Sequence, residues 1–151
     1  MITGMAVKTL SAVEVDSYAS NQHEFHGVQA LKYLFGYDRQ YFDAECFYLD
    51  NNGIDRTSAN LTWYDARENS FDRSEYRLYY NSDFINYKAN PGDKMILTVD
   101  DQNMVRIFII ANGTQLDSFL ISILRHRIDN TYQIVNDIEM NQILDDVIPN
   151  I

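Results

Sequence analysis

Two aromatic, strand-like runs separated by a polar insert constrain the fold of this chain more than any other feature of its sequence. The runs are residues 61–64 (LTWY) and 76–80 (YRLYY). Aromatic and β-branched residues favour strands, and two such runs in succession favour a hairpin. The insert holds about ten residues, far more than a tight turn requires, and connections of that length are usually functional arms or disordered segments. The sequence therefore predicts a β-hairpin whose connection projects as an arm.

The predicted arm carries arginines, whose side chains bind phosphates and guanine bases. Arg67 and Arg73 lie within it and Arg77 lies at its far edge. A guanidinium can fork onto a phosphate or onto guanine O6 and N7, and Glu75 can accept from cytosine N4 while holding neighbouring arginines in one geometry. The alternative is a solvated hairpin tip. Residues 65–77 hold three arginines against four acidic residues, a net charge of −1, and isolated surface ion pairs contribute little.

A second polar segment, residues 11–27, follows a predicted first strand at residues 6–10. Its end is rich in side chains that both donate and accept hydrogen bonds. His23 and His26 are three residues apart, so a metal site has to be considered. The chain has three histidines, and Cys46 is distant in sequence, so the ligand set is too thin. We interpret the segment as a second arm and expect this domain to need no cofactor.

The remaining pattern is mostly β, with helices at the edges. The other predicted elements are a short helix at 28–35 ending at Gly36, a strand at 43–49, a hairpin of 94–99 with 104–110, a helix over 116–124 with Thr114 and Asp117 as a capping-box variant, and a C-terminal helix over 140–148. About seven strands in all predict a mainly β (α+β) fold, a small or half-open barrel. Such a scaffold leaves both arms free to project from its rim.

Composition sets broad limits on the chain. Its 151 residues predict one domain, with a core over about residues 6–127 and a C-terminal helical extension or linker at 128–151. A single cysteine fits a reducing cytoplasm, and no apolar run is long enough to span a membrane. The net charge of −10 argues against non-specific DNA binding. Any DNA binding must therefore be carried by base contacts.

The sequence lacks the signatures of the common hydrolases. A restriction-type nuclease needs an acidic residue two positions before a lysine to hold a divalent ion. The residues two before Lys8, Lys32, Lys88 and Lys94 are alanine, alanine, asparagine and glycine. No glycine-rich phosphate loop, nucleophile elbow or His-Glu-x-x-His motif is present. We therefore predict no catalytic residue in this chain.

Three pieces of the sequence carry a resemblance to a known family. They are residues 8–12 (KTLSA), Gln22 with His23, and residues 63–67 (WYDAR) followed by 73–77 (RSEYR). These pieces resemble the N-terminal effector-binding domain of the EcoRII restriction endonuclease, whose pseudobarrel fold is shared with the plant B-three transcription-factor domain. The third piece is the most specific, because it keeps the family's spacing of three arginines and one glutamate along the C-terminal arm.

The resemblance implies a set of residues that contact a short duplex site in the major groove. The set is Gln22, His23, Phe25, Arg67, Asn69, Arg73, Ser74, Glu75, Tyr76 and Arg77. Phe71 and Tyr76 stand where the family has lysines, and Val28 stands where it has an aromatic residue. These departures imply fewer phosphate contacts and a shifted base preference.

On this interpretation the chain is the DNA-recognition or effector domain of a bacterial type II restriction endonuclease. The resemblance implies a short G·C-flanked target such as CCWGG, a C-terminal nuclease domain elsewhere in the enzyme, and a divalent metal such as Mg²⁺ used by that nuclease domain alone. The isolated domain is expected to be monomeric. The alternative is a β-barrel that binds a carbohydrate or a protein partner, suggested by 11 tyrosines and the acidic charge. A third reading is a free-standing enzyme with an unrecognised site.

Overall fold

The computed structural model describes residues 1–15, 23–69, 74–126 and 128–148. Its strands are β1 (Ile2–Thr9), β2 (Glu24–Phe25), β3 (Gln40–Asp50), β4 (Gly53–Asp65), β5 (Tyr76–Tyr80), β6 (Lys94–Asp100), β7 (Val105–Ile110) and β8 (Gln133–Ile134). They form one sheet in the order β2-β5-β4-β3-β7-β6-β1-β8, which curls into a half-barrel. β3 and β7 are parallel, and the other neighbours are antiparallel. The prediction of a mainly β fold is confirmed, with eight strands among the described residues instead of the seven expected.

Short helices lie between the strands of this sheet in the sequence and after its last strand. They are α1 (Ala12–Val15), α2 (Lys32–Phe35), α3 (Phe84–Lys88), α4 (Gln115–Leu124) and α5 (Asp137–Asp146). Thr114 caps α4 by accepting from the Asp117 N–H, and the Asp117 carboxylate accepts from the Gly113 N–H, so the predicted capping pattern is present one residue earlier than in a strict capping box. Within the described ranges no helix is long and apolar enough to cross a membrane.

One face of the sheet packs the larger of two hydrophobic cores. Along β3, alternate residues face this core because side chains alternate across a strand; they are Phe42, Ala44, Cys46 and Tyr48. Trp63 on β4 is fully buried there, stacks on Tyr76 with ring centroids 4.9 Å apart, and donates from its indole to the Gly36 carbonyl over 2.9 Å. This core holds the two strands of the arm-bearing hairpin in a fixed orientation.

The opposite face of the sheet is covered over only part of its area. α4 and α5 cover a second core that contains Phe47 and Phe108. Ile143 of α5 is fully buried in it, and β8 pairs with β1, so residues 128–148 contribute to the packed fold although the sequence suggested an extension or linker. Further along the same face of β3, Tyr41 and Asp43 are exposed. The outer face of β2, β5, β4 and the first half of β3 is therefore not covered by these two helices.

A buried ion pair connects the first strand to the N-terminal arm. The side chains of Lys8 and Glu14 are completely buried, and Lys8 Nζ lies 2.5 Å from Glu14 Oε2. Glu14 also accepts from the N–H groups of Ser11 (3.0 Å) and His26 (2.9 Å), and Lys8 donates to the His26 carbonyl over 2.7 Å. Burial lowers the pKa of Lys8, and the charge of Glu14 partly offsets that effect. The pair therefore holds both ends of the arm against β1.

We predict that breaking this pair destabilises the protein strongly. Lys8→Met leaves Glu14 as an unpaired buried charge, and loss of one partner of a buried ion pair costs about 3–5 kcal/mol. The double variant Lys8→Met with Glu14→Gln should lose less than the sum of the two single variants. Urea denaturation of all four proteins measures this. Arg56→Gln, which breaks an exposed pair with Glu45, is the control and should change stability by about 1 kcal/mol or less. Additive single-variant effects would contradict the coupling.

Candidate nucleic-acid interface

The C-terminal arm begins and ends where β4 and β5 are hydrogen-bonded to each other. We call this place, residues 65–67 with 75–76, the neck. β4 and β5 pair up to Asp65 opposite Tyr76, and the Ala66 N–H donates to the Glu75 carbonyl over 2.8 Å. Asp65 Oδ1 accepts from the N–H groups of Arg67 (2.9 Å) and Glu75 (2.7 Å). These backbone hydrogen bonds lower the pKa of Asp65. The predicted pairing of the two aromatic runs is confirmed. The carboxylate of Asp65 binds backbone amides on both sides of the connection, at Arg67 and Glu75.

Five side chains form a continuous arginine–carboxylate chain from the arm onto the sheet. Arg67 Nε and Arg77 Nη2 lie 3.1 and 3.4 Å from the same Glu75 oxygen, Oε2. Arg77 Nη1 lies 3.8 Å from Glu24 Oε2, and the Tyr64 hydroxyl donates to Glu24 Oε1 over 3.1 Å. The hydrogen bond from Arg67 and the charge of Arg77 lower the pKa of Glu75. Glu75 therefore orients two arginines at once.

These arginines are available to a ligand. The side chains of Arg67 and Arg77 are 48% and 40% exposed, so their ion pairs lie at the surface and do not bury the guanidiniums. Each guanidinium has five N–H donors, of which Glu75 and Glu24 occupy a minority. Surface ion pairs of this kind exchange readily for other partners because their net stabilisation is small. The arginine–carboxylate chain can therefore direct guanidinium donors towards solvent while its side chains hold one another in position without a ligand.

The end of the N-terminal arm lies on the same edge of the sheet. β2 pairs with β5, with Glu24 opposite Tyr79, and the His23 carbonyl accepts from the Tyr80 N–H over 2.9 Å. Tyr80 and Arg77 are three residues apart on β5, which corresponds to about 10 Å along a strand. His23 and Arg77 therefore lie about 10 Å apart along one edge of the sheet. Both arms are attached to the same short strand.

His23 is held in a defined position. Its backbone adopts a left-handed conformation (φ 53°), and its ring centroid lies 5.4 Å from that of Tyr80. Its Nε2 lies 2.7 Å from Asp83 Oδ1, and the side chain is 28% exposed. A partly exposed imidazole retains the capacity to donate or accept at its exposed edge.

Two of the residues predicted to contact DNA belong to the core, which corrects that prediction for their side chains. Phe25 is 3% exposed, and its ring centroid lies 4.6 Å from that of Tyr80. Tyr76 is 8% exposed, stacks on Trp63, and donates its hydroxyl to the Tyr37 carbonyl over 2.9 Å. Alternation along β5 explains the result for Tyr76, since it shares the inward face with Tyr80 while Arg77 faces outward.

The structure describes some of the other residues predicted to contact DNA, but not all of them. Asn69 and Ser74 are exposed on the arm. Gln22 and Arg73 lie outside the described residues, so their roles stay predictions. Glu75 was predicted to hold Arg73 and Arg77; among the described residues it holds Arg67 and Arg77.

The sequence analysis missed a group of one arginine and two tyrosines beside the arginine–carboxylate chain. Arg39 precedes β3, and its guanidinium lies 5.0 Å from the centre of the Tyr64 ring. Its Nη1 lies 3.5 Å from the hydroxyl of Tyr41, which is 72% exposed. The alternation of exposed Tyr41 and Asp43 with buried Phe42 was visible in the sequence. Strand β3 was nevertheless predicted to begin at residue 43, three residues too late.

The other surface features do not suit a polyanion or a metal. A wide groove between α5 and the β3–β4 turn is lined by Asp50, Asp100, Asp145 and Asp146. No group of three His, Cys, Asp or Glu side chains converges as metal ligands within residues 1–15, 23–69, 74–126 and 128–148. Burial raises the pKa of the Cys46 thiol to about 12, so this cysteine is an inert core residue. The arm-bearing edge is the better candidate site.

The fold of this chain is similar to that of a solved bacterial domain. The N-terminal domain of Helicobacter pylori LlaJI.R1 superposes with a TM-score of 0.56 at 10% sequence identity, over 89% of this chain and 99% of that domain. At this identity the likeness shows a shared fold alone. No protein-family model matches the chain, and no curated protein matches it.

We predict that Asp65 controls the order of the arm. Asp65→Ala removes the acceptor for the Arg67 and Glu75 amides, so both should exchange faster with deuterated solvent, whereas Asp65→Asn keeps an acceptor oxygen and should preserve most of the protection. NMR-detected hydrogen exchange measures both variants. Unchanged protection in Asp65→Ala would contradict the role of the carboxylate.

The pH dependence of the same neck follows from the lowered pKa of Asp65. A carboxylate whose pKa is depressed in the folded protein contributes its stabilisation above the ordinary aspartate pKa and loses it as the pH falls through the depressed value. The amide chemical shifts of Arg67 and Glu75 should therefore stay constant through mildly acidic pH and move together only below the ordinary aspartate range. An NMR titration measures this, with Asp65→Asn as the control that should not show the transition.

Proposed function

We propose that this chain binds double-stranded DNA sequence-specifically through its two arms, as the recognition or effector domain of a type II restriction endonuclease. The observation that carries the proposal is the sharing of one Glu75 oxygen by Arg67, at the base of the C-terminal arm, and Arg77, on the adjoining strand β5, with His23 on the same sheet edge. Arginines fixed by a carboxylate on a rigid sheet lose little conformational entropy when they meet a ligand. Their geometry suits the acceptor pattern of a G·C pair.

The fold likeness supports the proposal at a coarse level. One solved structural neighbour, the N-terminal domain of Helicobacter pylori LlaJI.R1, is a domain of a restriction-modification protein. The resemblance of residues 63–67 and 73–77 to the C-terminal arm of EcoRII-type domains points in the same direction, and the described part of that arm carries its arginines at the surface. The two lines of support are independent, because one rests on backbone shape and the other on side-chain spacing.

In the proposed complex the arm enters the major groove. Arg67 and Arg77 each direct free N–H donors to guanine O6 and N7, while Glu75 keeps them parallel or accepts from cytosine N4. His23 contacts the site from the N-terminal arm, with Gln22 beside it in sequence. Arg73 is included from its position in the sequence alone. Asn69 and Ser74 are exposed on the arm and add hydrogen-bonding groups at its surface.

The finer features of the proposal follow the same resemblance. The target is a short G·C-flanked site such as CCWGG, and the chain acts in the bacterial cytoplasm as a monomeric domain that needs no cofactor. It has no catalytic activity by itself. Cleavage belongs to a separate nuclease domain of the enzyme, which uses a divalent metal such as Mg²⁺.

An exposed tyrosine surface favours a second candidate function, binding of a carbohydrate or protein partner. Tyr33, Tyr37 and Tyr41 are each more than 70% exposed, and they lie close together in the chain. Aromatic faces of this kind suit sugars and protein interfaces. Salt dependence separates the two functions, because each phosphate contact contributes about one unit to the log–log slope of DNA binding, whereas binding of a neutral sugar shows almost none.

The experiment that tests the proposal is selection from a random duplex library at moderate salt, followed by affinity measurements on the selected site. We predict that Arg67→Ala, Arg73→Ala and Arg77→Ala each weaken binding to that site by about 1–3 kcal/mol and relax base preference. Arg56→Ala is the matched control, because Arg56 also pairs with a carboxylate at the surface but lies outside the arm. Failure to enrich any duplex, or wild-type binding by all three arm variants, would overturn the proposal.

A further inference from the structure

Arg39 differs from three other arginines that the structure describes. Arg56, Arg67 and Arg77 each lie within ion-pair distance of a carboxylate. Within the part of the chain that the structure describes, Arg39 has no carboxylate within 4.0 Å; its pKa is raised mainly by the Tyr41 hydroxyl and to a smaller extent by the charge of Glu68. Its guanidinium instead rests 5.0 Å from the centre of the Tyr64 ring, and its Nη1 lies 3.5 Å from the Tyr41 hydroxyl.

An aromatic platform of this kind orients a guanidinium without neutralising it. The attraction acts through the face of the ring, so the N–H donors at the edge of the guanidinium stay free for an acceptor. Tyr41 adds an exposed hydroxyl beside these donors, and tyrosine hydroxyls are common phosphate ligands in protein–DNA interfaces. Together they present a positive charge and several donors to one small acceptor.

Tyr64 connects this group to the arginine–carboxylate chain. It lies opposite Arg77 in the β4–β5 pairing, and its hydroxyl donates to Glu24. Arg39 precedes β3, which is separated from β5 by one strand, so it lies about 10 Å across the sheet from Arg77. A base contact near the middle of a major groove about 12 Å wide lies about 6 Å from either backbone, so a side chain about 10 Å from Arg77 extends past the base edges to the flanking phosphates. A duplex with its groove on the arm therefore places a backbone phosphate within reach of Arg39.

We infer that Arg39, supported by Tyr64 and assisted by Tyr41, binds a DNA backbone phosphate that flanks the groove entered by the arm. The inference rests on the proposed function. Arg39 precedes β3, two positions across the sheet from β5 and farther than Arg77 from the strand to which both arms are attached. It therefore meets the edge of the groove and sets the register of the protein on the duplex. A contact of this kind adds affinity to every sequence equally and carries no base information.

Salt dependence of DNA binding tests the inference. Duplex affinity is measured from low to moderate salt for the selected site and for a scrambled duplex. Arg39→Gln should lower the log–log slope by about one unit on both duplexes and leave the base preference unchanged. Tyr64→Leu, which removes the platform, should lower the slope in the same way. Arg56→Gln, which removes a paired surface arginine on the same sheet, should leave it unchanged.

The outcomes separate this inference from the proposed function. If Arg39→Gln leaves the log–log slope unchanged or alters the base preference, the phosphate contact is overturned. The DNA-binding function still holds in that case, provided that the wild-type protein binds its selected duplex. Absence of duplex binding by the wild-type protein would overturn both. Circular dichroism and urea denaturation establish that Arg39→Gln folds like the wild type, as expected for an exposed side chain.

Discussion

The pairing of β5 with two partners determines the geometry of the candidate site. This five-residue strand lies between β4, which leads into the C-terminal arm, and β2, which follows the N-terminal arm. Its alternation directs Tyr76, Leu78 and Tyr80 into the core and leaves Arg77 on the outer face. One short strand thus fixes the position of both arms through its backbone and places an arginine between them through its side chains.

The acidic net charge is compatible with a polyanion partner only if the charge is distributed unevenly. Four of the acidic side chains line the groove beside α5, away from the arm-bearing neck. At the neck, carboxylates serve a different purpose, since Glu75 and Glu24 order Arg77 in the absence of a ligand. Because these carboxylates are negatively charged, they weaken the positive electrostatic field around Arg77. An interface of this composition favours recognition by hydrogen-bond geometry over long-range electrostatic attraction.

The sequence predicted the parts of the fold that depend on local pattern. Both hairpins follow from runs of β-prone residues around polar connections, and α4 follows from its apolar stripe and Thr114 cap. β2 and β8 were missed because two residues show no periodicity. The Lys8–Glu14 pair and the contact of Arg39 with Tyr64 were missed for another reason: each depends on tertiary packing or strand register that no single segment encodes. Phe25 and Tyr76 were misassigned because a resemblance locates a segment but does not say which side of it faces inward.

The ion pair of Lys8 and Glu14 has a consequence for how this domain can diversify. Glu14 accepts from the amides of both Ser11 and His26, so it ties the two ends of a long loop together from within the protein. A loop tied at its base can gain or lose residues at a small entropic cost, because that cost grows only with the logarithm of its length. The length of the segment between these two ends can therefore change while the half-barrel beneath it remains intact.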